Sequence, residues 1–371
     1  MQDNWKISGR QFYLLVILYS IGTTILITVN SLANAAGQDA WIPVIIGIVI
    51  NVLLVWLYNS LAKLYPGMGF VEAVQVALGK WPGKAVSILF IVFPFIGSVL
   101  TVSIMGNFVT TLMMPETPVV FINILFAAVV VLGVRLGIET VARTTEILFP
   151  IVVFFIIFLI VFSIPELELK NIQPVFEAGI GSILKGAIIF LGIFSLPQVV
   201  LLMVFPVGLN REGKEGSFFY KGVLAAGAVI LTITIFCIMV LSTDITSHSM
   251  YPVYTLAKKI SIGDTIERVE AVIAGLWFIT IFIRTAVYFY AATLGLSQVL
   301  GLKDYRPITL PMGMLVVAIS LIVYPDASYE IMWDTEVWPI YALVHGLCLP
   351  LLVLVTGLIR SKKHVSGGLS S

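Results

Sequence analysis

Three places in this chain set polar or backbone-breaking residues where a membrane-spanning helix tolerates them least. One is Gly22-Thr23-Thr24, at the middle of the apolar run from Gln11 to Ser31. Another is the cluster Gly192, Ser195 and Pro197 within "FLGIFSLPQVV", Phe190 to Val200. The third is Arg284, deep in "FITIFIRTAVYFY". Lipid offers no hydrogen-bond partners, so freed backbone groups must be buried in protein or face a polar cavity. Interrupting two spans frees N–H and C=O groups together, and a zwitterionic amino acid can satisfy both. Its carboxylate is expected at the N–H groups of Thr23, Thr24 and Ile25, the positive end of a half-helix. Its ammonium is expected at carbonyls near Tyr19, Ser20, Gly192 and Phe194, where helix ends are negative. The Thr and Ser hydroxyls add contacts, and Leu196 and Gln198 share the second interrupted stretch. Ser98 and Thr101 in the third apolar segment, with Thr285 and Tyr288 in the eighth, are further polar candidates for the pocket wall; Asn107 is a weaker one.

A charge buried in a span is costly unless paired, so Arg284 is expected to pair or to function. Its expected partner is Glu146, in "VARTTEILFP", as a structural lock or as a gate. The competing arrangement pairs Glu146 with Arg143 on its own helix and leaves Arg284 facing a water-filled cavity. Lys185 and Glu270, near segment ends, are expected to reach toward the interface. His345 is expected to make a helix–helix hydrogen bond rather than to carry protons. Cys237 and Cys348 both fall in apolar runs, which reads as buried thiols and not as a disulfide framework or zinc site. No phosphate-binding loop, nucleophile–base pair or metal cluster is present in the sequence pattern, so neither an enzyme, a cofactor nor a metal is expected.

The elements that must position these groups follow from composition. The chain is 59% hydrophobic and 11% charged, with a mean hydropathy of +1.07. Soluble domains carry roughly 25% charged residues, so this is an integral membrane protein. A net charge of +1 gives no sign of nucleic-acid binding. Ten all-α spans are expected, at roughly 11–33, 41–62, 84–112, 118–134, 140–163, 180–206, 218–243, 268–298, 307–324 and 337–359. The first run exceeds the length of a signal core and reads as a retained span. With the N-terminus in the cytoplasm, fifteen of the 21 Lys and Arg fall on inner segments. Only Lys170, Lys258, Lys259 and Arg268 fall on outer ones, and Lys185 and Arg284 lie within spans. That bias places both termini inside. "YPGMGFVEAVQVALGKWPG" (Tyr65–Gly83) reads as a short amphipathic helix on the inner face. A small helix is expected within 250–262, and the tail 360–371 reads as disordered beyond its cations.

A lone glycine in a span marks helix packing as often as function. Here, however, the first and sixth spans are both interrupted, and each opens a block of five. That pattern points to one transmembrane domain with a 5+5 inverted repeat, broken helices 1 and 6, and a midplane site. The repeats would cover about 11–163 and about 180–359.

With these residues in view, the chain resembles the B subunit of the spore germination receptors, in the amino acid–polyamine–organocation superfamily with its LeuT-like fold. The likeness rests on "KISGRQF" leading into "IGTTIL", on "DAW" (Asp39–Trp41) and "LGKWPGK", on "ARTTEILFP", on the "VFP" closing span six, and on "IRTAVYFYA" around Arg284. It implies a protein of the spore inner membrane that senses a small nutrient, an amino acid among the candidates. It also implies partners: a larger A subunit and a lipid-anchored C subunit. The family pattern reads Gly-Glu where this chain has Pro197-Gln198, so a carboxylate is missing there. Two rival classes share the scaffold: a proton- or cation-coupled amino-acid permease, and an ion channel or release pore gated within the complex. A fixed cation at Arg284 favours the receptor, because it could replace a cycling sodium ion.

Overall fold

The computed structural model describes residues 7–205, 207, 215–260 and 269–367, and its described elements are all helical. Lys6, Pro206, Arg211, Lys214, Arg268, positions 261–262 and the end of the tail lie outside the described residues, as do the side chains of Glu270, Lys362 and Lys363. Among the described residues seven helices are long and apolar enough to cross a membrane, and the bent pair α1 (Gly9–Ile21) and α2 (Thr24–Ala36), taken as one span, makes an eighth. Two shorter apolar helices, α6 (Val119–Arg135) and α12 (Arg306–Ser320), stand where the fourth and ninth spans are expected.

The chain enters through a capping box. The Ser8 hydroxyl accepts from the Gln11 amide N–H and the Gln11 side chain accepts from the Ser8 N–H, both at 3.1 Å, which satisfies two of the orphan donors that open α1. After α2, Asp39 of the "DAW" stretch is fully buried and accepts from the N–H groups of Phe176 (2.8 Å) and Ala178 (2.9 Å). It thereby ties the start of span two, α3 (Trp41–Leu64), to the connection before span six. The short helix α4 (Phe70–Leu78) buries Phe70, Val71, Ala73, Val74 and Ala77 and packs on α5 (Lys80–Leu112). A Cβ on Gly83 would lie 2.7 Å from Gln75 Cα, so α4 and α5 meet backbone to backbone there.

The core is built around α5, α11 (Val269–Leu300) and the sixth span, Ile180–Met203. The sixth span is 89% buried, whereas the fifth, which contains α7 (Ile138–Ser163), is only 22% buried and presents Ile147, Ile151, Phe154, Ile157 and Val161 outward. That difference separates the spans that can line a site from the one that mainly faces lipid. The seventh span, α9 (Glu215–His248), bends at Ser242 (φ 70°), and α10 (Pro252–Lys259) follows within the expected 250–262 window.

The tenth span differs from the sequence expectation. It runs as one helical unit over Ala327–Arg360, beginning ten residues before the expected 337. Asp326 caps it by accepting from the Tyr329 N–H at 2.8 Å. The stretch "YEIMWDTEV" looks like a polar loop by hydropathy. Yet Glu330 and Asp334 lie four residues apart on the buried face, so helix persists through it. Two π-turns, Trp333–Val337 and Val344–Cys348, each precede a proline, Pro339 and Pro350.

Candidate functional site

The interruption of the first span is a true break. α1 ends at Ile21, α2 begins at Thr24, and the two diverge by 44°. The N–H groups of Thr23, Thr24 and Ile25 therefore have no acceptor inside α2, and the last carbonyls of α1 have no donor inside α1. Glycine is required at the joint by close approach, because a Cβ on Gly22 would lie 2.4 Å from Arg284 Cδ.

The interruption of the sixth span has another form. The span keeps its direction but changes its winding, from α8 (Ile180–Phe190) to a π-turn at Leu191–Ser195 and then a 3-10 helix at Leu196–Met203. Proline has no N–H, so Pro197 cannot donate to the carbonyl four residues back, that of Ile193. Arg284 supplies the missing donor: its Nη2 donates to Ile193 O at 2.6 Å. Span ten repeats the device, where Pro350 cannot serve Gly346 O and the Tyr58 hydroxyl donates to it at 2.8 Å.

Arg284 is 2% exposed, with both terminal nitrogens hydrogen-bonded and its Nε buried without a partner among the described residues. Its Nη1 donates to Thr24 Oγ1 at 3.0 Å, and its guanidinium carbon lies 5.4 Å from the Tyr19 ring centroid and 5.7 Å from that of Tyr288. Glu146 is not its partner. Glu146 sits against the first turn of α1, accepts from Gln11 Nε2 at 3.1 Å, and lies 3.6 Å from Arg10 Nε on a partly exposed surface. Arg143 pairs with Glu139 one turn away, so the alternative Glu146–Arg143 pair is not formed either. The reason is rotational: α7 turns Glu146 toward α1, while Arg284 is drawn inward by the carbonyl that Pro197 frees. Since the two residues share no partner, defects of Glu146→Gln and Arg284→Leu are expected to add within about 0.5 kcal/mol in a double-mutant cycle of thermal stability. Non-additivity above that would reinstate the pair.

The expected ammonium seat on span six is also corrected. Gly192 O accepts from Trp338 Nε1 (3.0 Å) and Phe194 O accepts from Gln198 Nε2 (3.1 Å). The Tyr19 hydroxyl donates to Pro197 O at 2.7 Å. Each of these carbonyls already holds a protein donor, from span one, span ten or the sixth span itself.

Four predicted residues do meet on one cavity: Thr23, Thr101, Arg284 and Tyr288. The cavity measures about 20 Å³ and is walled by Gly97, Ile193, Asp334 and Trp338 as well. A Cβ on Gly97 would fall 2.8 Å from the Tyr288 ring, so this glycine lets the aromatic wall close in. Thr285 donates to Thr101 Oγ1 (2.9 Å) and stiffens that wall from behind. Gln198 Nε2 reaches Ser20 Oγ at 3.2 Å, which joins the two interrupted spans away from the cavity. Ser98 is turned back onto Pro94 O of its own helix (2.8 Å). Ile25, Leu196 and Ser195 are buried without lining the cavity, and Tyr19, Ser20, Gly22, Thr24, Gly192, Phe194, Gln198 and Thr285 serve its frame.

Sequence reasoning missed Asp334, which sets a carboxyl group on the cavity that holds Arg284. It also missed Glu330, one turn away, which accepts from Asn107 Nδ2 at 3.3 Å. The usable signal was their spacing of four after an Asp cap. Asn30 Nδ2 donates to Ser247 O (2.7 Å) and Ser249 O (2.6 Å), and Asn34 Nδ2 donates to Ser247 O (2.7 Å), closing α2 onto the end of span seven. Beyond that closure lies a wider vestibule of about 450 Å³ that includes Asn30, Asn34, Lys185 and His248. His345 lies elsewhere, between Tyr341 O (2.8 Å) and Leu89 O (3.2 Å) and stacked on Phe93, bridging spans three and ten.

The arrangement can hold a dipolar guest. A guanidinium and a carboxyl group face one small cavity, and next to them a helix N-terminus offers free N–H groups. At about 20 Å³ the cavity accommodates one water, so a guest the size of an amino acid requires the walls to part.

Solved structures share this framework. A nucleobase-cation-symport-1 family transporter, MHP1, in a closed conformation with bromovinylhydantoin bound, superimposes with a TM-score of 0.65 at 13% identity, covering 96% of this chain and 90% of that one. A sodium-coupled sialic acid symporter in a substrate-bound outward-open state gives 0.66 at 11% identity, covering 97% and 90%. The LeuT-like fold expected from the two interrupted spans is therefore the observed one. In sequence, the chain is 26% identical to Spore germination protein KB of Bacillus subtilis over 363 residues, 97% of this chain and 96% of that protein. It is also 26% identical to Spore germination protein YndE of the same organism, over 96% of this chain and 98% of the relative. The model of the spore germination protein family matches residues 6–329, and the chain belongs to that family.

Proposed function

We propose that this protein is the nutrient-sensing subunit of a spore germination receptor, and that it binds a small amino acid between its first, third, sixth, eighth and tenth spans. The observation that carries the reading is one cavity walled at once by Thr23, Arg284 and Asp334. The guest's carboxylate meets Arg284 and the free N–H groups at the start of α2. Its ammonium meets Asp334 in place of the span-six carbonyls. The aromatic and aliphatic wall of Tyr288, Ile104 and Trp338 limits the side chain to a small one.

Because the cavity is contracted, binding must separate α2 from span ten or span eight. A ligand shifts such an equilibrium by its differential affinity for the two arrangements. The wider arrangement is what partner A and C subunits would read in the spore inner membrane, with both termini on the cytoplasmic side. Arg284 supports sensing over transport, because two of its donors anchor it to Thr24 and Ile193, so it is a charge that does not cycle, while its other donors remain for the guest.

The fold neighbours are transporters, which favours a cation-coupled amino-acid permease as the second reading. The purified chain in proteoliposomes separates the two. The receptor reading predicts saturable binding of a labelled amino acid without accumulation inside the vesicles, and co-purification with the A and C subunits from spores. Concentrative uptake by this chain alone would replace it with the permease.

A further inference from the structure

Glu330 and Asp334 stand one helical turn apart on span ten and are 3% and 7% exposed. Asp334 borders two cavities. One is the cavity it shares with Arg284; the other, also about 20 Å³, is lined by Asn30, Ser31, Tyr251 and Glu330. Among the described residues neither carboxylate is in an ion pair. Their hydrogen-bond donors are neutral: the Asn107 amide for Glu330, and the Tyr324 hydroxyl for Asp334 at 3.2 Å.

A charge count along this line leaves a surplus. Arg284 offsets Asp334, the carboxylate on its own cavity, and nothing offsets Glu330. Lys185 and His248 line the vestibule beyond, where water is available. A buried carboxylate without a counter-charge is strongly disfavoured, so in the sealed site Glu330 takes up either a proton or a cation.

A second observation points to what kind. Tyr251 is 4% exposed, its hydroxyl has no hydrogen-bond partner, and it lines the same cavity. Ser31 Oγ and Asn30 Oδ1 add neutral oxygens. Two carboxyl groups with neutral oxygens and one thioether, Met250, and no imidazole or thiol in the lining, make a mostly hard donor set that suits a main-group cation better than a transition metal. Room for one water selects a small radius, and one carboxyl without a counter-charge selects a single charge.

We propose that Glu330, Asp334, Tyr251, Ser31 and Asn30 form a binding site for a small monovalent metal cation such as sodium. The site stands on these residues alone. Its consequence rests on the amino-acid reading above: because Asp334 borders both cavities, a metal ion beside Glu330 leaves Asp334 ionised for the guest's ammonium, and each ligand raises the other's affinity.

The test uses the full chain in lipid nanodiscs, titrated with sodium, potassium, choline or methylammonium chloride at constant ionic strength and followed by thermal unfolding. An alkali cation is expected to raise the midpoint where choline does not, and Glu330→Gln is expected to weaken its apparent affinity at least about tenfold. Amino-acid binding measured on the same samples, with no alkali cation present, should survive Glu330→Gln. Its loss in the wild type would instead sink the amino-acid reading and leave the ion site standing. If Glu330→Gln does not fold, Tyr251→Phe replaces it, and wild-type alkali affinity in that variant counts against the site. A wild type that shows no alkali-over-choline difference overturns the proposal. So does a midpoint that depends on pH alone, which means a shared proton, or on methylammonium alone, which means the nutrient's own amine.

Discussion

Replacing Arg284 with alanine is expected to reduce the nutrient response of spores by more than about a hundredfold, and lysine is not expected to restore it, because a bidentate guanidinium is being lost. The side chain does two jobs that can be separated. It caps Ile193 O, which Pro197 deprives of a helical donor, and it offers positive charge to the cavity that Thr23 and Asp334 share. Removing the cap leaves a buried carbonyl unpaired, at about 1–3 kcal/mol. Adding Pro197→Ala to Arg284→Ala returns a backbone N–H within reach of Ile193 O. The double mutant should therefore regain part of the lost thermal stability and none of the response. Recovery of both together would mean that Arg284 is only a backbone cap and that the guest's carboxylate binds elsewhere.

That pair of roles also marks where the sequence could be read and where it could not. The spans, the broken first helix and the need of Arg284 for buried partners were legible, because lipid penalises unpaired polar groups so heavily that each exception stands out. The partner of Arg284 was not legible. It depends on the rotation of α7 and α11 about their own axes, and hydropathy carries no such information. Pro197 was seen to matter, but its effect was read as an open gap. The sixth span instead re-winds as a π-turn and a 3-10 helix, and side chains of Tyr19, Gln198, Arg284 and Trp338 cap its carbonyls. Asp334 and Glu330 were lost for the opposite reason. Their charge pulls a hydropathy window toward loop, although a spacing of four places both on one helical face. A membrane protein can place its most informative residues where the apolar signal is weakest.

Asp334→Asn tests that last point and the chemical class of the guest together. The substitution keeps size and hydrogen bonding and deletes one charge beside Arg284. If the cavity binds a zwitterion, affinity for the amino acid should fall by at least about a hundredfold, since a charge pair about 4 Å apart in an effective dielectric of roughly 20 is worth about 4 kcal/mol. Its des-amino analogue, a plain carboxylate, should bind the variant at least as well as the wild type, because it no longer meets an anion. This crossover depends on the ligand's charge, so a general loss of folding cannot imitate it. The measurement is competition binding to reconstituted protein with the two ligands side by side. Equal losses for both would place the ammonium away from Asp334, and no loss for either would move the guest out of this cavity altogether. A crossover would also fix the guest's direction, with its carboxylate toward α2 and its ammonium toward span ten. Those two elements face each other across the cavity, and α2 is held to the end of span seven by the carbonyls of Ser247 and Ser249. A dipole laid across that seam engages both sides of it directly, so its differential affinity for open and closed forms is the lever by which a small nutrient can move the bundle.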